Sequence, residues 1–214
     1  GITTANEMHV PVDVPVFLTL EGDDVIHSFW IPKLTGKQDV IPGRVNHMQF
    51  EAENADQEYY GQCTEYCGLS HALMRLRVMT HSQSDFDQWV AEQREPAQAV
   101  TDSLAQEGER IFLEEELPAG GTCINCHAVQ GTDAQATTAP DLTHFASRGV
   151  FAGAMMPNQS SASSPGAPIP RLLLANSRQF LFTWTIRPSR SSSAMFASAP
   201  GARPGSSKPL KRTG

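Results

Sequence analysis

Cys63-Thr64-Glu65-Tyr66-Cys67-Gly68-Leu69-Ser70-His71-Ala72-Leu73-Met74 places two thiols, an imidazole and a thioether in one short stretch. Packing alone gives no reason to gather those groups. Thiolate, imidazole and thioether form a soft ligand set, which suits copper better than magnesium, calcium or manganese. A disulfide between Cys63 and Cys67 leaves His71 and Met74 unexplained. A Cys2His2 zinc site leaves Met74 and Glu65 unexplained, and a mononuclear copper site idles one cysteine.

Outward from this loop, the pattern is one of short strands. Met8 to Val12 alternates, Val14 to Leu20 is β-rich, and the turn Glu21-Gly22-Asp23-Asp24 follows. Val25 to Ile31 brings His27 on a separate strand. Val45 to Glu51 alternates again, Glu58 to Gln62 enters the cysteine loop, and Met74 to Met79 leaves it. Many short strands with Gly/Pro turns predict a β-sandwich. Ser84 is placed to cap a helix over residues 85–94 that buries Phe86, Trp89 and Val90, with Pro96 beyond its end. His9, His47 and His81 read as surface or strand residues, and Trp30, Tyr59 and Tyr60 as packing.

A second signature, Cys123-Ile124-Asn125-Cys126-His127, has the spacing of covalent haem attachment. A helix over residues 102–115 precedes it, with Leu104, Gly108, Ile111 and Phe112 on or near one face. All four cysteines lie in the two motifs, so none remains for a disulfide elsewhere. Covalent haem attachment implies an extracytoplasmic location.

Charge divides the chain sharply. All 23 acidic residues precede residue 159, whereas half of the 16 lysines and arginines follow it. A net charge of -7 gives no expectation of nucleic-acid binding, and the acidic part would attract a basic partner. No run approaches the ~20 apolar residues needed to cross a bilayer. Residues 159–214 are rich in Ser, Pro and basic residues, a composition that predicts disorder.

His27-Ser28-Phe29-Trp30, Asp39-Val40-Ile41-Pro42-Gly43 and Tyr60-Gly61-Gln62-Cys63 through Met74 occur in the order that resembles cytochrome c oxidase subunit II. The resemblance covers about residues 3–94. It implies a cupredoxin sandwich with a binuclear copper centre, CuA. Cys63 and Cys67 would bridge both coppers, His27 and His71 would each cap one, Met74 would be a weak ligand, and Glu65 would supply its backbone carbonyl. The Glu65 carboxylate would also reach a magnesium ion at the interface with subunit I. Gly108-Glu109-Arg110-Ile111-Phe112 and Ala139-Pro140-Asp141-Leu142-Thr143-His144 resemble a cytochrome c domain, in which Cys123 and Cys126 bond the haem and His127 binds its iron. Met155, Met156 and Met195 are the candidates for the sixth iron ligand.

The expected architecture is therefore a mainly β, cupredoxin-like sandwich over residues 1–95, truncated at its N-terminus. A linker over 96–102, an incomplete all-α cytochrome c-like domain over 103–158 and a disordered or frameshifted tail over 159–214 complete it. The resemblance implies electron transfer from haem c to CuA and on to subunit I. Subunits I and III and cytochrome c or another donor are the implied partners. An N-terminal transmembrane hairpin preceding this sequence would hold the domain on the periplasmic face of a bacterial cytoplasmic membrane. Two alternatives stay open: the CuA domain of a nitrous oxide reductase, and a soluble copper–haem shuttle or copper-storage protein.

Overall fold

The computed structural model describes residues 1–158, together with the backbone of Thr183–Pro188 and Met195–Ser198. Strands β1 (Ile2–Ala5), β2 (Glu7–Pro11), β3 (Val16–Leu20), β4 (His27–Trp30), β5 (Gln38–Val40) and β6 (Asn46–Phe50) come first. They are followed by β7 (Glu58–Cys63), β8 (Arg75–His81), the helices α1 (Gln83–Glu92) and α2 (Ser103–Glu114), and the two-residue strands β9 (Val150–Phe151) and β10 (Met156–Pro157). Thr183–Pro188 forms β11 and Met195–Ser198 forms β12.

One sheet has the order β1-β11-β12-β3-β6 and the other β2-β8-β7-β4-β5. The alternation read from the sequence is the cause of their packing. On β3, Val16, Leu18 and Leu20 are buried while Phe17 and Thr19 are partly exposed. Those three join Met8, Val10, Phe29, Phe50, Leu76 and Val78 in one core, to which both sheets contribute. Each such side chain stabilises the fold by roughly 1.5–3 kcal/mol when fully buried. The mainly β expectation for this part holds.

Several expectations are corrected. β1 and β5 were not foreseen. The cap of α1 is Ser82, not Ser84: its hydroxyl accepts the Asp85 amide at 3.2 Å, so the helix starts two residues earlier. Of the three residues expected to be buried by α1, Phe86 is fully buried and Trp89 and Val90 only partly. Tyr60 is 60% exposed, with the Arg77 guanidinium 4.1 Å above its ring, so it is no packing residue.

Residues 103–158 do not form an all-α unit. They contain α2, single turns of 3-10 helix at Cys123–Asn125 and Phe145–Ser147, and the β9–β10 hairpin. Ala152, Gly153 and Ala154 all take positive φ, which reverses the chain and rules out a continuing helix there. Asp102 caps α2 as its side chain accepts the Leu104 and Ala105 amides.

The segment expected to be disordered contains β11 and β12, which pair with β1 and β3. Thr183-Trp184-Thr185-Ile186 is β-branched and aromatic and covers the edge that β1 would otherwise expose, while Met195–Ser198 covers that of β3. Residues 159–182, 189–194 and 199–214 lie outside the described residues, as does the side chain of Met195. Among the described residues no helix is long and apolar enough to cross a membrane.

His9 and His81 are strand residues of β2 and β8, as expected, and their rings meet. His9 Nδ1 lies 2.8 Å from His81 Nε2, and Trp89 of α1 stacks on His9 at 4.2 Å between ring centroids. Burial, and secondly the nearby His9 charge, push the His81 pKa below its ordinary value of 6.5, against the opposing charges of Asp85 and Asp56. A histidine whose folded pKa is depressed contributes stability above its unfolded value and loses it as pH falls through the folded one. Thermal stability is expected to fall between about pH 7 and pH 5, and His81→Gln to flatten that fall. Melting curves of both proteins across the range check this; equal slopes would exclude His81 as the sensor.

Candidate metal centre

The copper-type loop is the connection of an antiparallel hairpin. β7 pairs with β8 from Glu58↔Met79 to Gln62↔Arg75, and the Cys63 amide donates to the Met74 carbonyl at 2.9 Å. The ladder therefore closes the loop at its base. Gly61 brings β7 close to its neighbours, since a Cβ there would stand 2.8 Å from both the Trp30 carbonyl oxygen and Leu76 Cγ. Gly68, at φ 125°, turns the loop directly after Cys67, between the cysteines and His71.

The next strand over, β4, delivers His27: Phe29 pairs with Cys63, and the Thr64 amide donates to the Ser28 carbonyl at 3.0 Å. One ligand atom each from His27, Cys63 and Cys67 lie within 4.8 Å of one another, all three residues buried. Cys63 Sγ is 3.9 Å from His27 Nδ1 and 3.8 Å from Cys67 Sγ, and Cys67 Sγ is 3.6 Å from His71 Nδ1. Met74 is buried with the two cysteines. The Cys63 thiol donates to the Glu65 carbonyl at 3.2 Å, while the Glu65 side chain is exposed. All six residues expected at the copper loop thus gather in one place.

The donor set fits a metal. Both cysteines are free, and their sulfurs stand well beyond the ~2.05 Å of a disulfide. Two thiolates sharing a metal at about 2.3 Å each can stand this far apart. His27 carries a further mark: its Nε2 meets Asp24 Oδ1 at 2.8 Å while Nδ1 faces the sulfur. Metal-binding imidazoles commonly donate their other nitrogen to a carboxylate, which fixes the tautomer. Asp24 was read only as part of a turn. The acid three residues before His27 was the available signal, but a turn-rich stretch offers many such acids.

The electrostatics are those of a pair that cannot carry two negative charges alone. Burial pushes the Cys63 thiol up, but His27, backbone hydrogen bonds at Ser28 and Glu65, and His71 together hold it down at about 6. Burial and then the neighbouring Cys63 charge push Cys67 up to about 12. His27 is raised first by its hydrogen bond to Cys63, with burial opposing and Asp24 assisting. A bound cation removes the conflict by neutralising both sulfurs.

The second motif is well separated from the first in sequence. Cys123 is half-buried and Cys126 exposed, and the Cys126 and His127 amides both donate to the Cys123 carbonyl. His127 Nδ1 donates to the Pro140 carbonyl at 2.7 Å, leaving Nε2 to face a ligand. Met155 and Met156 line a cavity of about 360 Å³ against Tyr60, Arg77 and Met79.

Residues 2–81 match the family model described as cytochrome C oxidase subunit II, periplasmic domain. Over that stretch the chain is similar to this family. Its CuA centre is the metal site expected of such a domain, and the His27–Cys63–Cys67 cluster fits it. Cytochrome c oxidase subunit 2 of Alkalihalophilus pseudofirmus is 37% identical over 161 residues, covering 75% of this chain and 44% of that protein. The Bacillus subtilis protein of the same description is 35% identical over 172 residues, covering 77% and 47%. The crystal structure of the periplasmic domain of subunit II of cytochrome oxidase of Bradyrhizobium japonicum shares 39% identity at a TM-score of 0.40, covering 42% of this chain and 64% of that one. The chain spans less than half the length of the two curated relatives.

Two substitutions separate support from ligation. Asp24→Asn keeps the shape but removes the charge behind His27, and is expected to weaken copper binding by about 10–100-fold. Gly61→Ala forces β7 away from β4 and is expected to cost about 1–3 kcal/mol of stability. Copper titration against a chelator reads the first, and denaturant unfolding the second.

Proposed function

We propose that this chain is the electron-accepting part of subunit II of a haem–copper cytochrome c oxidase, with a fused cytochrome c segment. In that reading Cys123 and Cys126 would bond a haem c and His127 would hold its iron, the Cys63 loop and His27 would hold two coppers, and the two groups would supply one-electron transfer toward subunit I, where oxygen would be reduced. The observation that carries this reading is the convergence of His27, Cys63 and Cys67 on one point in a domain similar to this family.

Six residues have a part in that reading: Cys63 and Cys67 would supply thiolates, His27 and His71 imidazoles, Met74 a thioether and Glu65 a backbone carbonyl. Two coppers held by these residues would supply one-electron transfer with little change of geometry. The strand-anchored loop adds to this by holding the ligands still, and Asp24 fixes the orientation of His27. The exposed Glu65 carboxylate is free to hold magnesium against subunit I.

The geometry around the Cys123 motif supports the haem assignment. The His127–Pro140 hydrogen bond orients the imidazole as a proximal ligand requires. Leu104 and Ile111 leave an exposed apolar face on α2, which packs beside the Cys123 turn. That face offers an apolar wall to a macrocycle. Residues 103–158 are read as a unit of their own on this basis, joined to the copper domain through residues 96–102. Subunits I and III, a cytochrome c-type donor and membrane attachment at the extracytoplasmic face follow from the same reading.

Metal and haem stoichiometry tests it directly. The full chain, expressed where haem attachment and copper loading occur, is expected to carry two coppers and one covalent haem. Its paramagnetic spectrum should show copper hyperfine splitting shared between two nuclei. Cys67→Ser should abolish that signal and leave the haem spectrum intact. Zinc in place of copper, or a single-copper spectrum, would overturn the assignment.

A further inference from the structure

The β9–β10 hairpin is bound to both halves of the chain, and the contacts form a continuous path. On the haem-motif side, His127 Nδ1 donates to the Pro140 carbonyl and the Leu142 amide to the Ala128 carbonyl at 2.8 Å. The Phe145 amide donates to the Leu142 carbonyl, and the Phe145 ring meets that of Phe151 edge-on at 5.8 Å. Asn158 closes the hairpin, donating from its amide to the Gly149 carbonyl and from Nδ2 to the Phe145 carbonyl at 2.7 Å.

On the copper side three hydrogen bonds cross to the sheet. The Arg75 amide donates to the Gly153 carbonyl at 3.1 Å, and Arg77 Nη2 to the Ala154 carbonyl at 3.2 Å. The Val150 amide donates to Glu7 Oε1 at 2.7 Å. Arg75 directly follows Met74, whose carbonyl accepts the Cys63 amide. The path from the haem imidazole thus ends at the base of the copper loop.

Two further observations mark the contact as built. Glu7 is a carboxylate only 3% exposed, an unusual residue to bury in a strand unless its partners are fixed. Ala152 and Ala154 both adopt left-handed backbone on either side of Gly153. Non-glycine residues keep that conformation where their surroundings impose it. Gly153 and Ala154 are buried, so the turn lies against the sheet and not in solvent.

We propose that the turn at Ala152–Ala154 is where electrons cross from the haem-motif segment to the copper loop, with Glu7 and Arg77 as positioning residues that hold it docked. This rests on the haem-to-copper reading above. Without the docked turn, the segment would be held through the chain at its two ends, residues 96–102 before it and the strands β11 and β12 after it, and the interval between the cofactors would fluctuate. Residue 77 grips the turn from β8 while paired with Glu58 at 2.9 Å, and residue 7 holds the adjoining strand β9, through the Val150 amide, from β2. The hairpin therefore spans two neighbouring strands of the sheet that carries the copper loop.

The test compares the full chain with Arg77→Met, Glu7→Leu and Glu7→Gln. In the cofactor-free chain, amide hydrogen exchange at Arg75 and Val150 should quicken roughly tenfold or more in Arg77→Met and Glu7→Leu. Glu7→Gln keeps an acceptor and should restore much of the protection. In the loaded chain, haem-to-copper transfer after photoreduction should slow severalfold in the first two variants, with both cofactor spectra and potentials unchanged. Arg77→Met keeps the proposal testable where Glu7→Leu fails to fold. Exchange that quickens while transfer does not would place the crossing elsewhere and overturn the proposal, as would unchanged exchange. A wild-type chain without copper or haem signals would instead defeat the functional reading and this crossing with it.

Discussion

The geometry of the metal centre depends on the backbone ladder between β7 and β8 reaching its last rung. With the Cys63 amide held by the Met74 carbonyl, residues 63 and 74 face each other and the intervening loop must fold over one point. With Phe29 paired to Cys63, β4 is locked to the same register and His27 arrives beside the sulfur. A slip of one residue in either pairing would turn the side chains to the opposite face. The ligands are thus located by main-chain hydrogen bonding and by the core beneath it. Met74, Cys63 and Cys67 are buried on top of that rigid base.

Legibility followed distance along the chain. Cys63, Cys67, His71 and Met74 stand within one loop, so spacing alone predicted their company. The alternation in Met8–Val12, Val14–Leu20 and Val45–Glu51 reported half-buried strands because period two is a local property. What escaped was set by partners far away. Ile2–Ala5 becomes a strand by pairing with residues 183–186, and Asp24 matters because His27 turns one nitrogen toward it. His9 and His81 are 72 residues apart and touch because β2 lies parallel to β8. The Ser82 cap was missed by two positions because Ser82 and Ser84 are equally good caps by type.

The two thiols illustrate how one fold separates identical groups. Cys63 sits among donors from His27 and the backbone and favours its thiolate, whereas Cys67 faces that charge and keeps its proton. The metal-free pair therefore holds one proton near neutrality. Metal loading must release it, so affinity depends on pH even though neither cysteine is exposed to bulk water. The same buried arrangement that makes the ligands rigid makes them reluctant to ionise together.

The parallel pairing of β2 with β8 has a consequence for how the protein comes into being. Its partners, such as Glu7 and Arg77, are separated by most of the domain, and β1 waits for β11, farther still along the chain. Such contacts carry a high loop-closure cost and form late. The early-emerging strands β1 and β2 must remain unpaired until β8 and β11 have followed them. Their apolar edges stand open to wrong partners during that interval. The β7–β8 hairpin that carries the loop ligands is a local pairing by contrast, so the soft ligands can gather before the outer strands close around them.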